Sequence, residues 1–238
     1  TMTYAQKLSE DEAEKRMDDY YEYGGNFFDT ANIYGKNNDG HYGGQSEILL
    51  GKWIKSKKNR EKIILATKVG FPYDNVQYGT SKKQIIEELD KSLKRLKTDY
   101  IDLYYLHTDD RSVPLEETLE VLQEFIKQGK VRSIGASNFT AWRLQEADCI
   151  CEKNSWKGFS CIQQRHTYLR PKVYSNFKGQ RYVNQDLEDY LKCSKKVLIS
   201  YCPLIKGFYT NNKKKILEQY DSLDSRKRLE ALDEVSKK

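Results

Sequence analysis

The amino-acid sequence predicts a parallel α/β fold and, within that class, a (β/α)8 TIM barrel. Apolar runs of strand length alternate with segments of helical periodicity along the chain, as in successive βαβ units. The strand-like runs are apolar throughout, which is typical of strands buried on both faces. A doubly wound dinucleotide-binding sheet predicts a G-x-G-x-x-G motif after its first strand. No such motif occurs there, so the barrel is favoured.

The individual elements follow from apolar runs, helical spacing and capping residues. Ser9 with Glu12, and Ser81 with Gln84, have the spacing of two helix capping boxes. Strands are predicted to begin near residues 26, 62, 100, 131, 159 and 197, after a short β-rich piece at Thr1–Tyr4. These seven strands are one fewer than a closed barrel needs. We therefore expect residues 1–238 to form one incomplete, truncated barrel domain, which lacks the start of the first strand and the eighth strand and helix.

The amino-acid composition argues against a membrane protein, a metal-binding protein and a nucleic-acid-binding protein. No apolar run approaches the roughly 18 residues of a membrane span, and the first residues are charged. Five scattered cysteines indicate reduced thiols, and the two-residue spacing of Cys149 and Cys151 does not suit a metal site. The net charge of +6 comes from lysines interspersed with glutamates, which is typical of solvated helix surfaces. We expect a cytoplasmic protein that binds no metal, nucleic acid or membrane.

Polar side chains stand at the carboxyl ends of the predicted strands, the end at which barrels carry their active sites. The positions in chain order are Asp29, Tyr34 in the following loop, Lys68, His107, Ser137, Asn138, Gln163 and Tyr201. A phenol has a pKa of about 10, and a neighbouring ammonium group lowers it. An aspartate can orient that ammonium group, and a histidine can donate a hydrogen bond to a carbonyl oxygen. Together such groups deliver a proton to an oxygen on which negative charge develops.

Each of these residues also has a purely structural interpretation. Asp29 can simply pair with a lysine, and a histidine at a strand end is often only hydrogen-bonded. Tyr34 is one of 18 tyrosines, most of which must serve packing. Ser137 and Asn138 can cap the helix that begins near Thr140. The joint occurrence of these groups favours chemistry over packing.

Five segments, in this order along the chain, resemble the aldo-keto reductase family. They are Phe28–Gly35, Ala66–Gly70, Asp99–His107, Gly129–Phe139 and Ser200–Leu204. The resemblance implies a (β/α)8 barrel and NADPH-dependent reduction of an aldehyde or ketone, with NADH as a possible substitute. It also implies that Tyr34 is the general acid, that Lys68 and Asp29 tune it, and that His107 orients the carbonyl group.

The same resemblance implies a nicotinamide site. Ser137, Asn138 and Gln163 match positions that hold the carboxamide, and Tyr201 matches an aromatic residue that stacks on the ring. Of the adjacent Gln163 and Gln164, strand alternation favours Gln163 as the inward side chain. The remaining residues predicted to contact the cofactor are Met2, Asp29, Pro203 and Leu204.

The resemblance ends before the last strand and the basic motif with which the family grips the adenosine phosphate. Two alternatives therefore stay open, namely a catalytically inactive NADP(H)-binding or regulatory subunit and a non-functional fragment. The expected partner is a small-molecule carbonyl compound, whose identity depends on the polar, aromatic loops 35–45, 72–80 and 170–184. The sequence predicts no oligomeric state.

Overall fold

The computed structural model describes residues 1–2, 4, 8–35, 40, 42–210 and 215–237. Within them, six parallel strands form one sheet in chain order. The strands are β1 (Phe27–Asp29), β2 (Ile64–Val69), β3 (Ile101–Leu106), β4 (Val131–Ser137), β5 (Cys161–Arg165) and β6 (Val197–Tyr201). The helices are α1 (Glu10–Glu22), α2 (Gln45–Lys57), α3 (Lys82–Leu96), α4 (Leu115–Lys127), α5 (Ala141–Lys153), α6 (Gln185–Ser194) and α7 (Leu223–Ser236).

The sheet is rolled into a half-barrel. Gln163 on β5 donates a hydrogen bond of 2.9 Å to the carboxylate of Asp29 on β1. In a flat sheet these strands would lie about 19 Å apart, since neighbouring strands are about 4.8 Å apart. Only a strongly curved sheet brings the two side chains together. The predicted incomplete (β/α)8 barrel is confirmed.

The core has an outer and an inner part. The outer cluster joins strand side chains such as Leu65 and Tyr104 to helical side chains such as Trp53 and Leu89. The smaller inner cluster contains strand residues only, among them Ala66 and Tyr105. Neighbours along one strand thus belong to different clusters, because successive side chains of a strand point to opposite faces. This arrangement explains why the strands are apolar throughout.

Two local predictions need correction. The capping box of α1 is present, with Ser9 and Glu12 bonded reciprocally. The second box is only half formed, because Ser81 accepts from the backbone of Gln84 but the Gln84 side chain donates to Gln77 at 2.6 Å. The Gln84 side chain is thus bonded to the carbonyl oxygen of Gln77 and does not accept from the backbone N–H of Ser81.

The predicted strand at the amino-terminal piece is also wrong for the residues that the structure describes. Thr1 and Met2 belong to no strand, Tyr4 makes an isolated bridge to Leu8, and residue 3 lies outside the described residues. The Thr1 hydroxyl instead donates to the backbone oxygen of Asp29 at 2.7 Å. Short β-prone segments pair only where a partner edge is presented. None of the helices described has the length and apolar character that a membrane crossing requires.

Candidate active site

The polar strand-end residues form one connected group at the carboxyl edge of the half-barrel. Lys68 and Gln163 both bond to Asp29, and the Tyr34 ring lies beside Lys68 and His107. Asn138 bonds to the backbone oxygen of His107 and accepts from Tyr201. Residues that lie far apart in the sequence thus surround one space.

Lys68 is held as a buried ammonium group. Its side chain is fully buried, and Nζ donates to the carboxylate of Asp29 and, at 2.7 Å, to the carbonyl oxygen of Thr30. Burial acts to lower the pKa of Lys68, but the charge of Asp29 and the hydrogen bond to it outweigh burial, and the pKa is raised. Lys68 therefore carries its charge at neutral pH.

Tyr34 lies in the loop after β1, which the amino-terminal end of α2 holds in place. Its backbone oxygen accepts from Ser46 at 3.1 Å, and its ring centroid lies 4.9 Å from the Lys68 ammonium group. Gly35 has a φ of +93°, and a Cβ there would lie 2.7 Å from Gln45. Glycine is therefore required directly after the tyrosine.

Lys68 acts to lower the pKa of Tyr34, as expected, but burial of the phenol has the larger effect. Burial raises the pKa of Tyr34 above its usual value, and the Lys68 charge opposes that rise without cancelling it. The sequence-based expectation of a lowered pKa is thus wrong in its net direction, because desolvation of the phenolate is larger than its attraction to the lysine. Tyr34 is protonated at neutral pH, with a cation beside it to stabilise its conjugate base.

His107 is a neutral imidazole. Its ring packs edge-on against Phe71 and Tyr34, with centroid distances of 4.7 and 5.8 Å. Burial, assisted by the charge of Lys68, holds its pKa well below the usual value of 6.5. Nδ1 is buried without a hydrogen-bond partner among the described residues. A neutral imidazole has one N–H donor, which is the form that binds a carbonyl oxygen.

Asn138 ties three strand ends together. It has a φ of +62°, its Nδ2 donates to His107 and Ser137, and its Oδ1 accepts from Tyr201 at 2.7 Å. The alternative role as a helix cap does not apply, since Thr140 occupies the capping position of α5. Asn138 therefore links residues at the carboxyl ends of β3, β4 and β6.

The other residues predicted at the cofactor site differ in their hydrogen bonds and in their exposure to solvent. Gln163 faces Asp29, whereas Gln164 bonds to the backbone of Asn138 and Phe139. The Pro203 carbonyl oxygen accepts from Thr167 at 2.6 Å. Met2 and Leu204 are 50% and 56% exposed. Of the predicted substrate loops, residues 36–39 and 41 lie outside the described part of the chain.

Sequence reasoning missed a buried anchor behind the Tyr34 loop. Asn32 donates at 2.8 Å to Glu88, which also accepts from Tyr73 and Lys91. Burial alone would raise the pKa of Glu88, but these donors outweigh it and lower the pKa. An available signal was that Glu88 lies beside Leu89 in the apolar stripe of α3, where a carboxylate needs partners.

A second missed residue is Arg165, which follows Gln163 on the same face of β5. Its side chain is buried, and its guanidinium lies 5.4 Å from the centre of the Tyr201 ring.

Within the described residues, no group of three or more histidine, cysteine or acidic side chains could hold a metal ion.

The sequence is similar to those of several oxidoreductases. It is 39% identical over 176 residues to an uncharacterized oxidoreductase, YrpG, of Bacillus subtilis, covering 71% of this chain and 53% of that protein. It is 37% identical over 194 residues to the aldo-keto reductase YhdN of the same organism, covering 81% of this chain and 51% of that protein. Norsolorinic acid reductase B of Aspergillus parasiticus is 37% identical over 155 residues, 62% of this chain and 39% of that protein.

The chain therefore spans about half the length of the two Bacillus relatives. The profile of the Aldo/keto reductase family matches residues 1–238. The match includes all six strands of the half-barrel and the residues at their carboxyl ends. The chain belongs to the aldo/keto reductase family.

Proposed function

We propose that this chain carries the proton-delivery site of a nicotinamide-dependent reductase of small aldehydes or ketones. The observation that supports the proposal is the contact group of Asp29, Lys68, Tyr34 and His107, in which a buried ammonium lies beside a protonated phenol. NADPH is the proposed cofactor, with NADH as the alternative. A cytoplasmic location belongs to the same proposal.

In this proposal Tyr34 gives its proton to the carbonyl oxygen of the substrate. Lys68 stabilises the phenolate that remains, and Asp29 keeps the ammonium group oriented towards it. His107 is neutral and donates a hydrogen bond to the same oxygen as charge develops there. A bound reduced nicotinamide would supply the hydride to the carbonyl carbon.

The residues around this group suit a nicotinamide ring. Tyr201 offers an aromatic face, and Ser137, Asn138 and Gln163 offer hydroxyl and amide groups for a carboxamide. Met2, Pro203 and Leu204 complete the proposed cofactor contacts. The amides of Asn138 and Gln163 already bond within the protein, so a bound carboxamide must share or replace these bonds.

The proposal is tested by following NADPH oxidation with a panel of aldehydes and ketones. Tyr34→Phe removes the proton donor and is expected to lower kcat by about 100-fold or more, with NADPH affinity retained. Tyr23→Phe changes a tyrosine that is 93% exposed and serves as the matched control. A Tyr34→Phe variant as active as the parent would refute the mechanism.

The same assay separates this proposal from an inactive binding subunit. The engaged amides of Asn138 and Gln163 do not distinguish the two functions, because a nicotinamide must compete with these internal bonds in either case. Quenching of protein fluorescence reports NADPH binding independently of turnover. Saturable binding with no turnover of any carbonyl compound would replace catalysis with a sensing or regulatory role.

A further inference from the structure

Arg165 is a buried cation that has no acidic partner among the residues that the structure describes. The residue is only 8% exposed, and Nε has no hydrogen-bond partner among the described residues. One terminal nitrogen bonds to the neutral amide of Gln180, and the guanidinium lies 4.6 Å from the centre of the Phe177 ring. A buried charge without a counter-charge is costly.

Other shielded arginines in the described part of the chain are neutralised. Arg143 pairs with Asp109 at 3.0 Å, and its side chain is 9% exposed. Arg60 and Arg95 have side chains that are 14% and 17% exposed and bond to carboxylates at 2.7 and 2.6 Å. Arg165 departs from this pattern, which indicates that its counter-charge comes from outside the described residues.

The Arg165 side chain lines a cleft of about 580 Å³. The cleft is also lined by His166, Arg170 and Arg228, and Arg228 is the one that pairs with an aspartate, Asp224. Two carboxylates, Asp186 and Glu188, line the cleft as well. Both are exposed to solvent at the first turn of α6, so they do not neutralise the buried guanidinium.

The cleft adjoins the candidate active site. Arg165 pairs in register with Tyr201 on the neighbouring strand and lies two residues beyond Gln163. Side chains two residues apart on a strand share a face and lie about 7 Å apart. A ligand group bound at Arg165 would therefore sit next to the proposed nicotinamide position.

We propose that Arg165 is the counter-charge of an oxyanion site that binds a phosphate or diphosphate group in this cleft. A guanidinium presents a planar fork of donors that matches phosphate oxygens, and its free Nε is one of these donors. Gln180 and the rings of Phe177 and Tyr201 hold the guanidinium in place. Binding at this site does not require hydride transfer. A failure of this proposal would therefore leave the proposed reduction untouched, and the reverse also holds.

Isothermal titration calorimetry of the full chain with inorganic diphosphate, in chloride buffer at constant ionic strength, tests the site. Saturable binding is expected, and Arg165→Met is expected to weaken it about tenfold or more, the equivalent of one charge-assisted hydrogen bond. Arg16→Met removes the same charge from an exposed position on α1 and should leave the affinity unchanged.

Near-UV circular dichroism establishes that each variant is folded. If Arg165→Met does not fold, Arg165→Lys replaces it, and weakened binding is again expected because lysine lacks the planar fork. The proposal is overturned if the parent shows no saturable binding, or if the folded variant binds as the parent does. Displacement of diphosphate by NADPH would assign the site to the cofactor, and simultaneous binding would assign it to a separate phosphorylated ligand.

Discussion

At single residues, burial decides the charge of each group in the candidate site. Lys68 keeps its proton because Asp29 outweighs the cost of desolvation. Tyr34 keeps its proton because no partner outweighs that cost, and His107 is neutral for the same reason. At neutral pH the site thus holds one cation, one anion and two neutral hydrogen-bond donors. This set is consistent with the proposed protonation of a carbonyl oxygen, since both donors are uncharged.

The protonation of His107 should link stability to pH. Its folded-state pKa lies well below 6.5, so the unfolded chain binds the proton more readily. Its contribution to stability is complete above pH 6.5 and is lost as the pH falls towards the folded-state pKa. The slope in that window is about 1.4 kcal/mol per pH unit. Urea unfolding in steps between neutral and mildly acidic pH measures it.

Comparison with a variant isolates this contribution from those of the carboxylates. In His107→Gln the free energy of unfolding should fall less steeply below pH 6.5 than in the parent. Equal slopes in the parent and His107→Gln would show that His107 is not held neutral.

At the level of elements, α2 carries the loop that bears Tyr34. The backbone N–H groups of Gly44 and Ser46 donate to the carbonyl oxygens of Asn32 and Tyr34 at 2.7 and 3.1 Å. The position of α2 depends in turn on its contact with α3. Gly51 permits that contact, because a Cβ there would lie 2.3 Å from the carbonyl oxygen of Arg95.

Gly51→Ala should therefore destabilise the protein although alanine favours helices. The helical preference gains about 1 kcal/mol, but the methyl group meets the backbone of α3 and forces the two helices apart. We expect the free energy of unfolding to fall by about 1–3 kcal/mol in urea titrations. Lys55→Ala, on the exposed face of the same helix, should change it little. A stabilised Gly51→Ala variant would contradict the close helix contact.

Across the whole molecule, the sequence predicted what depends on local pattern. Alternating apolar strands and capped helices specified the half-barrel, and the strand-end rule brought Asp29, Lys68 and His107 into one group. Contacts between segments that lie far apart in the sequence could not be predicted. Neither the Asn32–Glu88 bond nor the lack of a partner for Arg165 Nε among the described residues can be read from spacing, because each depends on what a distant segment supplies. The net pKa direction of Tyr34 likewise required the degree of burial.

The open form of the sheet leads to a prediction for hydrogen exchange. β5 and β6 are neighbours of five residues each, but β5 is fully buried and paired on both sides. In the described residues β6 pairs only with β5, and each of its residues is at least partly exposed. Amides of β6 should therefore exchange through local openings, at least about tenfold faster than those of β5. Exchange measured by mass spectrometry on peptides covering 161–165 and 197–201 compares the two strands within one molecule. Equal protection would mean that another surface covers the outer edge of β6 in solution, where two further strands would complete a closed barrel of eight.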